Sequence, residues 1–261
     1  MNTLKSGYRW LGILVLGFLS STALIALPTV VNYMPNCDTV APKTLMLQVS
    51  NYSYRFTDTA TKAAIKKDSS MIYSMEFGFK KAEVGVDFIG TRSFVDTRSA
   101  LYAGPVAFNL KYRLLTQGQK KDTFSLAVGT YNLGVKKYAA DYYVPAPYVI
   151  ATKAFKDLRL HLGYQFNILG FKRLDTDRKR NDGILFGFDT VVIKDAKKPV
   201  TLLADYFGGP AATVALGVTQ NFTPKLNWCV CYYIPTKSKL PVSKSQLPKQ
   251  LWVALSYYLP L

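Results

Sequence analysis

Between Val106 and Leu115 apolar and polar residues change places at every step. Val106, Phe108, Leu110, Tyr112 and Leu114 are apolar, whereas Ala107, Asn109, Lys111 and Arg113 are small, polar or charged. A period of two sends these sets to opposite faces of one β-strand. The pattern recurs along the chain. Met71, Tyr73, Met75, Phe77 and Phe79 oppose Ser74, Glu76 and Gly78; Val84, Val86 and Phe88 oppose Glu83, Gly85 and Asp87. In the same way Leu158, Leu160, Leu162, Tyr164 and Phe166 oppose Arg159, His161, Gly163, Gln165 and Asn167. Further strands are expected over Phe124 to Leu133, Tyr148 to Ala154, Ile184 to Ile193, Val200 to Phe207, Ala212 to Phe222, Leu226 to Ile234 and Leu251 to Leu259. With an imperfect first segment from Thr44 to Phe56, the pattern predicts about twelve strands, within roughly 10–14. That first segment fits the wall of a sheet or a plug inside it.

The connections add a second regularity. Links at Lys80-Lys81, Lys156-Asp157, Lys194 to Pro199 and Thr223 to Lys225 are short. The alternate links, Thr57 to Ser70, Gly90 to Pro105, Gly134 to Pro147, Leu169 to Asp182 and Pro235 to Lys249, are long, with Gly208 to Ala211 the exception. A closed barrel with short turns on one rim and long loops on the other produces this parity.

Alternation alone does not say which face is outside. Asp87, Lys111, Arg113, Arg159, His161, Asp189 and Asp205 sit near mid-strand on the polar faces. An Arg or Lys turned to lipid at the bilayer midplane costs about 2–4 kcal/mol, whereas inside a barrel opposite charges pair. Aromatics at strand ends, such as Tyr112, Tyr164, Trp228, Tyr232, Trp252 and Tyr257, match the girdles of a membrane barrel. The apolar face is therefore expected to point outward. The rival is an inverted soluble barrel holding an apolar ligand.

From Thr44 to Leu261 the chain resembles bacterial outer-membrane β-barrel proteins of the porin-like kind. The last strand carries the most specific element: Leu251, Val253, Leu255, Tyr257, Leu259 and Leu261 alternate to the chain end, although Leu261 stands where that family has an aromatic residue. The resemblance implies an all-β, transmembrane, antiparallel up-and-down β-barrel with short periplasmic turns and longer outer loops. It also implies outer-membrane lipid and lipopolysaccharide as neighbours, the barrel-assembly machinery as partner in biogenesis, and small solutes as cargo.

The N-terminus reads as a targeting segment. Lys5 and Arg9 precede an apolar run from Trp10 to about Leu27, with Ser21 and Ala23 placed for a cut before Leu24. We expect residues 1–23 to be a signal peptide, residues 24–43 an extended periplasmic leader broken by Pro28, Pro35 and Pro42, and residues 44–261 the barrel. An uncleaved inner-membrane anchor is the alternative.

The 33 basic and 16 acidic residues give a net charge of +17. The basic residues are spread over many turns rather than one stripe, which argues against nucleic acid. Cys37, Cys229 and Cys231 form no disulfide framework, and a lone C-x-C lacks the remaining ligands of a zinc site. Cys229 and Cys231 share a strand face, a poor geometry for bonding to each other.

His161 is the only histidine. The outer-membrane phospholipases and lipid A deacylases place a serine two residues after theirs, where this chain has Gly163. The barrel proteases place an aspartate two residues before, where it has Arg159. No enzyme, cofactor or metal site is expected. Asp175, Asp177 and Asp182 lack the glycine and terminal glutamate of a calcium loop. The basic run around them, Lys172, Arg173, Arg178, Lys179 and Arg180, suits anions or lipopolysaccharide phosphates. The expected inner lining is Glu83, Asp87, Asn109, Lys111, Arg113, Arg159, His161, Gln165, Asp189 and Asp205. Two outcomes fit it equally: a charged pore passing small, anionic solutes, or a salt-bridge network closing a structural barrel whose basic loops bind lipopolysaccharide or a partner.

Overall fold

The computed structural model describes residues 34–57, 64–92, 102–119, 123–134, 146–166, 182–195, 198–209, 212–236 and 249–261. These residues form twelve strands: β1 (Thr44–Thr57), β2 (Ala64–Gly78), β3 (Ala82–Arg92), β4 (Tyr102–Leu115), β5 (Ser125–Gly134), β6 (Ala146–Phe155), β7 (Leu158–Gln165), β8 (Gly183–Ile193), β9 (Val200–Phe207), β10 (Thr213–Thr223), β11 (Leu226–Pro235) and β12 (Lys249–Pro260). Each strand pairs with its chain neighbours, and β1 closes on β12, so the sheet is an up-and-down barrel without an edge. Thr44–Thr57 is thus wall, not plug.

Several strands run further than the apolar alternation. β2 begins at Ala64 rather than Met71, and β4 at Tyr102 rather than Val106. The backbone ladder continues there, with Lys67 opposite Arg55 and Thr91 opposite Tyr102. Backbone hydrogen bonds hold those extensions, so side-chain alternation is not required.

The faces sort as the alternation predicts. Phe108, Leu110 and Leu162 point outward and are 42%, 44% and 61% exposed, whereas Asn109, Lys111 and His161 point inward at 1%, 2% and 0%. An inverted soluble barrel would show the reverse order, and that rival is overturned. In β12, Leu251, Val253, Leu255 and Tyr257 are exposed, while Trp252, Ala254 and Ser256 are buried. An apolar outer surface of this extent is suited to lipid rather than water.

Residues 34–43 form no strand of the wall; residues 34–40 lie within the barrel, against inward side chains of β3, β4, β6, β7 and β9, and residues 41–43 are exposed where the segment leaves it. The chain turns from this internal segment into β1 at Lys43, whose φ of 56° is in the left-handed region. The turn is pinned on both sides: Lys43 N–H donates to the Gly78 carbonyl at 2.9 Å, and Leu261 N–H donates to the Lys43 carbonyl at 2.7 Å.

Candidate functional site

A segment buried without a β-ladder must satisfy its backbone groups elsewhere. Here inward side chains supply the partners. The N–H of Met34 donates to Asp205 Oδ2 at 3.2 Å, that of Cys37 to Thr152 Oγ1 at 3.3 Å, and that of Val40 to Glu83 Oε2 at 2.9 Å. Lys111 Nζ donates to the Asp38 carbonyl at 2.7 Å. Of the charged lining expected from the sequence, Glu83, Lys111, Arg159 and Asp205 are engaged by this segment.

Two ion-pair groups anchor it. Glu83 and Lys111 stand directly opposite each other on β3 and β4. Their charges meet at 2.9 Å with side chains 2% and 0% exposed. Close by, Asn109 Nδ2 donates to Asp87 Oδ2 at 3.4 Å. The second group crosses β6, β7 and β8. Arg159 faces Asp189 and grips it in fork geometry, Nε to Oδ1 at 2.8 Å and Nη2 to Oδ2 at 2.8 Å. A remaining nitrogen, Nη1, reaches the Asp38 carboxylate at 2.6 Å. His161 Nε2 lies 2.9 Å from Asp189 Oδ2, and its Nδ1 lies 2.9 Å from Thr152 Oγ1. With Nε2–H donating to the carboxylate, Nδ1 accepts the Thr152 hydroxyl proton, and the hydroxyl oxygen accepts Cys37 N–H. The donors and acceptors form one consistent chain.

A hydroxyl, an imidazole and a carboxylate in line also describe a nucleophile relay. In this barrel Thr152 is 5% exposed and covered by Cys37. The arrangement, as it stands, fastens the internal segment to the wall.

The interior is not uniformly polar. Tyr52 stacks on Tyr233 and on Trp252, both at 5.9 Å between ring centroids. Leu185, Leu203, Ala215, Cys231 and Met34 belong to the same buried cluster. Tyr131, which donates its hydroxyl to Gln165 Oε1, tilts against Tyr148 and Phe207. This cluster occupies the half toward the long loops. At the short-turn rim, between residues 36–41 and the ends of β8 to β12, a cavity of about 570 Å3 remains. Asn36, Asp38, Arg159, Thr219, Asn227 and Tyr258 are among its walls.

Of the residues expected to line the lumen, Glu83, Asp87, Asn109, Lys111, His161, Gln165, Asp189 and Asp205 are buried inside. Arg113 and Arg159 face inward with partial exposure. Lys172, Arg173, Arg178, Lys179 and Arg180 lie outside the described residues, as do Asp175 and Asp177. Sequence reasoning singled out neither Asp38 nor Thr152, nor Glu76, which is buried on the inner face of β2. The one local mark of Asp38 is a lone carboxylate between Pro35 and Pro42.

No known family pattern matches the chain, and no curated protein matches its sequence. Solved structures do match in fold. The chain superposes on the NanC porin with a TM-score of 0.51 at 12% identity, covering 81% of this chain and 98% of that one. The chain has the fold of a porin-like β-barrel. The KdgM porin (TM-score 0.47, 10% identity, 80% and 98% covered) and the outer-membrane phospholipase A of Escherichia coli (0.47, 9%, 88% and 95%) are similar at lower scores. At these identities the likeness is one of architecture, and the barrel's contents are this chain's own.

Proposed function

We propose that this barrel spans the bacterial outer membrane and passes small, anionic solutes, with residues 34–43 closing its lumen at rest. The observation that carries the reading is how the segment is held. It is bound by side-chain hydrogen bonds and ion pairs rather than by a strand ladder, so it can leave without opening the wall. Its departure would uncover Lys111 and Arg159. Glu83 keeps Lys111 as partner and Asp189 keeps Arg159 and His161, so the anion preference is assigned to the net charge of the exported chain, +15 once Lys5 and Arg9 leave with the signal, and not to the lining. The reading includes export through a cleaved signal at residues 1–23, folding by the barrel-assembly machinery, and contact of the basic run Lys172 to Arg180 with lipopolysaccharide. It assigns no catalysis: Thr152, between Cys37 N–H and His161, serves to fasten the segment.

A second reading, a permanently closed interaction barrel, draws support from the aromatic cluster of Tyr52, Tyr233 and Trp252. Planar-bilayer conductance separates the two. The intact chain is expected to give rare, brief openings, and a variant lacking residues 34–42 a steady conductance with a reversal potential favouring anions. A folded variant that never conducts would leave only the closed barrel, and a cation-favouring potential would remove the anion preference.

A further inference from the structure

The thiols of Cys229 and Cys231 meet inside the barrel wall at 3.3 Å. The two residues are separated by one position on β11, so they share the inner face, and they are 8% and 1% exposed. Cys229 also borders the cavity at the short-turn rim, which gives the pair a route to solvent. Cys37 is not part of the group: its thiol hydrogen-bonds to the carbonyls of Ile150 at 3.1 Å and Ser125 at 3.4 Å.

Two chemistries suit a close dithiol. A disulfide needs sulfurs about 2.05 Å apart on Cα atoms within about 4.4–6.8 Å. Alternate residues of an antiparallel strand are already about 6.8 Å apart. β11 is also held on both sides, Cys231 opposite Gly217 and Trp252, Cys229 opposite Thr219 and Ala254. Closing that bond would pucker the wall. A metal ion bound to both sulfurs at about 2.3 Å asks the opposite, a sulfur separation of up to about twice that, which modest χ1 rotation supplies. Zinc takes four ligands in a structural site, and among the described residues no group of three or more His, Cys, Asp or Glu is arranged to hold a metal. A pair of soft thiolates without a third His, Cys, Asp or Glu arranged beside it selects Cu(I)-type ions. We infer that Cys229 and Cys231 form a two-coordinate site for a soft monovalent d10 cation, each thiolate formed releasing its proton through the cavity. The site rests on strand geometry and is independent of whether the lumen conducts.

The test is retention of Cu(I) or Ag(I) by the full-length protein folded in detergent micelles, after anaerobic loading and desalting. One equivalent is expected to stay bound, with a sulfur-to-copper charge-transfer band for Cu(I). It is expected to be lost in C229S and in C231S and kept in C37S, each shown to be folded by heat-modifiable gel mobility. C229A and C231A, which remove the sulfur without adding a hydroxyl, are expected to lose it equally. No retention by the wild-type chain, retention unchanged in the C229S/C231S double variant, or a disulfide within residues 226–237 of protein extracted without reductant would each overturn the site.

Discussion

Lys111→Met is expected to destabilise the folded barrel by about 3–5 kcal/mol, because it takes the contacting countercharge from a buried carboxylate. Lys111 is wholly enclosed: its ammonium lies 2.9 Å from Glu83 and 2.7 Å from the Asp38 carbonyl. Methionine keeps the volume and removes the charge, so packing loss contributes little. Glu83 would retain the Val40 N–H and lose the ammonium. Chemical unfolding in lipid vesicles reads the loss. The double variant Lys111→Met with Glu83→Gln is expected to recover most of it, because a neutral amide is far cheaper to bury than a charge. A single variant within about 1 kcal/mol of wild type, a pair that survives truncation as surface pairs do, would mean that this pair is solvated and the interior open.

The second large effect belongs to Gly78. A Cβ there would overlap the carbonyl oxygens of Val40 and Ala41, where the segment passes backbone against backbone at the end of β2. Neither oxygen is the end of a flexible side chain, so Gly78→Val cannot be relieved by a rotamer change. The outer face of β2 and its ladders to β1 and β3 are not involved, and the wall is expected to fold. The segment is expected to give way instead. With overpacking of about 3 kcal/mol, its displaced population rises roughly 100-fold, and trypsin cleavage after Lys43 accelerates by a similar factor. An unchanged cleavage rate in a folded barrel would show that residues 40–41 do not lie against Gly78.

The wall of this protein was legible because alternation is a local property. Val106 to Leu115 announces its two faces without reference to any other strand, and the +2 spacing of Arg159 and His161 puts both inside. Pairing partners were legible in part: Arg159 opposite Asp189 follows from register once β7 and β8 are neighbours. What fills the barrel was not. Residues 34–43 have no period, and their burial is decided by partners far away in sequence, such as Asp205 for Met34 and Thr152 for Cys37. A barrel of about this strand number is too wide for its wall side chains alone, and nothing local states which segment completes it. Trp252, expected in the outer girdle, is instead buried inside against Tyr52, and Tyr52 and Tyr233 were hidden for a similar reason. An aromatic on the polar parity reads as an imperfection of one strand until three strands bring the rings together. The reach of β2 back to Ala64 was also missed, since a backbone ladder leaves no mark in a polar sequence.

Which side of the wall meets lipid decides whether the barrel spans a membrane. Nitroxide labels introduced singly at Leu110, Leu162 and Asn221, in a background with the native cysteines replaced by serine, test this in reconstituted bilayers. Leu110 and Leu162 are predicted to collide with dissolved oxygen and to be shielded from an aqueous nickel chelate, while Asn221, on the cavity wall at the short-turn rim, is predicted to meet the chelate. Labels at Leu110 and Leu162 that meet the nickel chelate as freely as Asn221, or that meet neither probe, would contradict the membrane-spanning barrel.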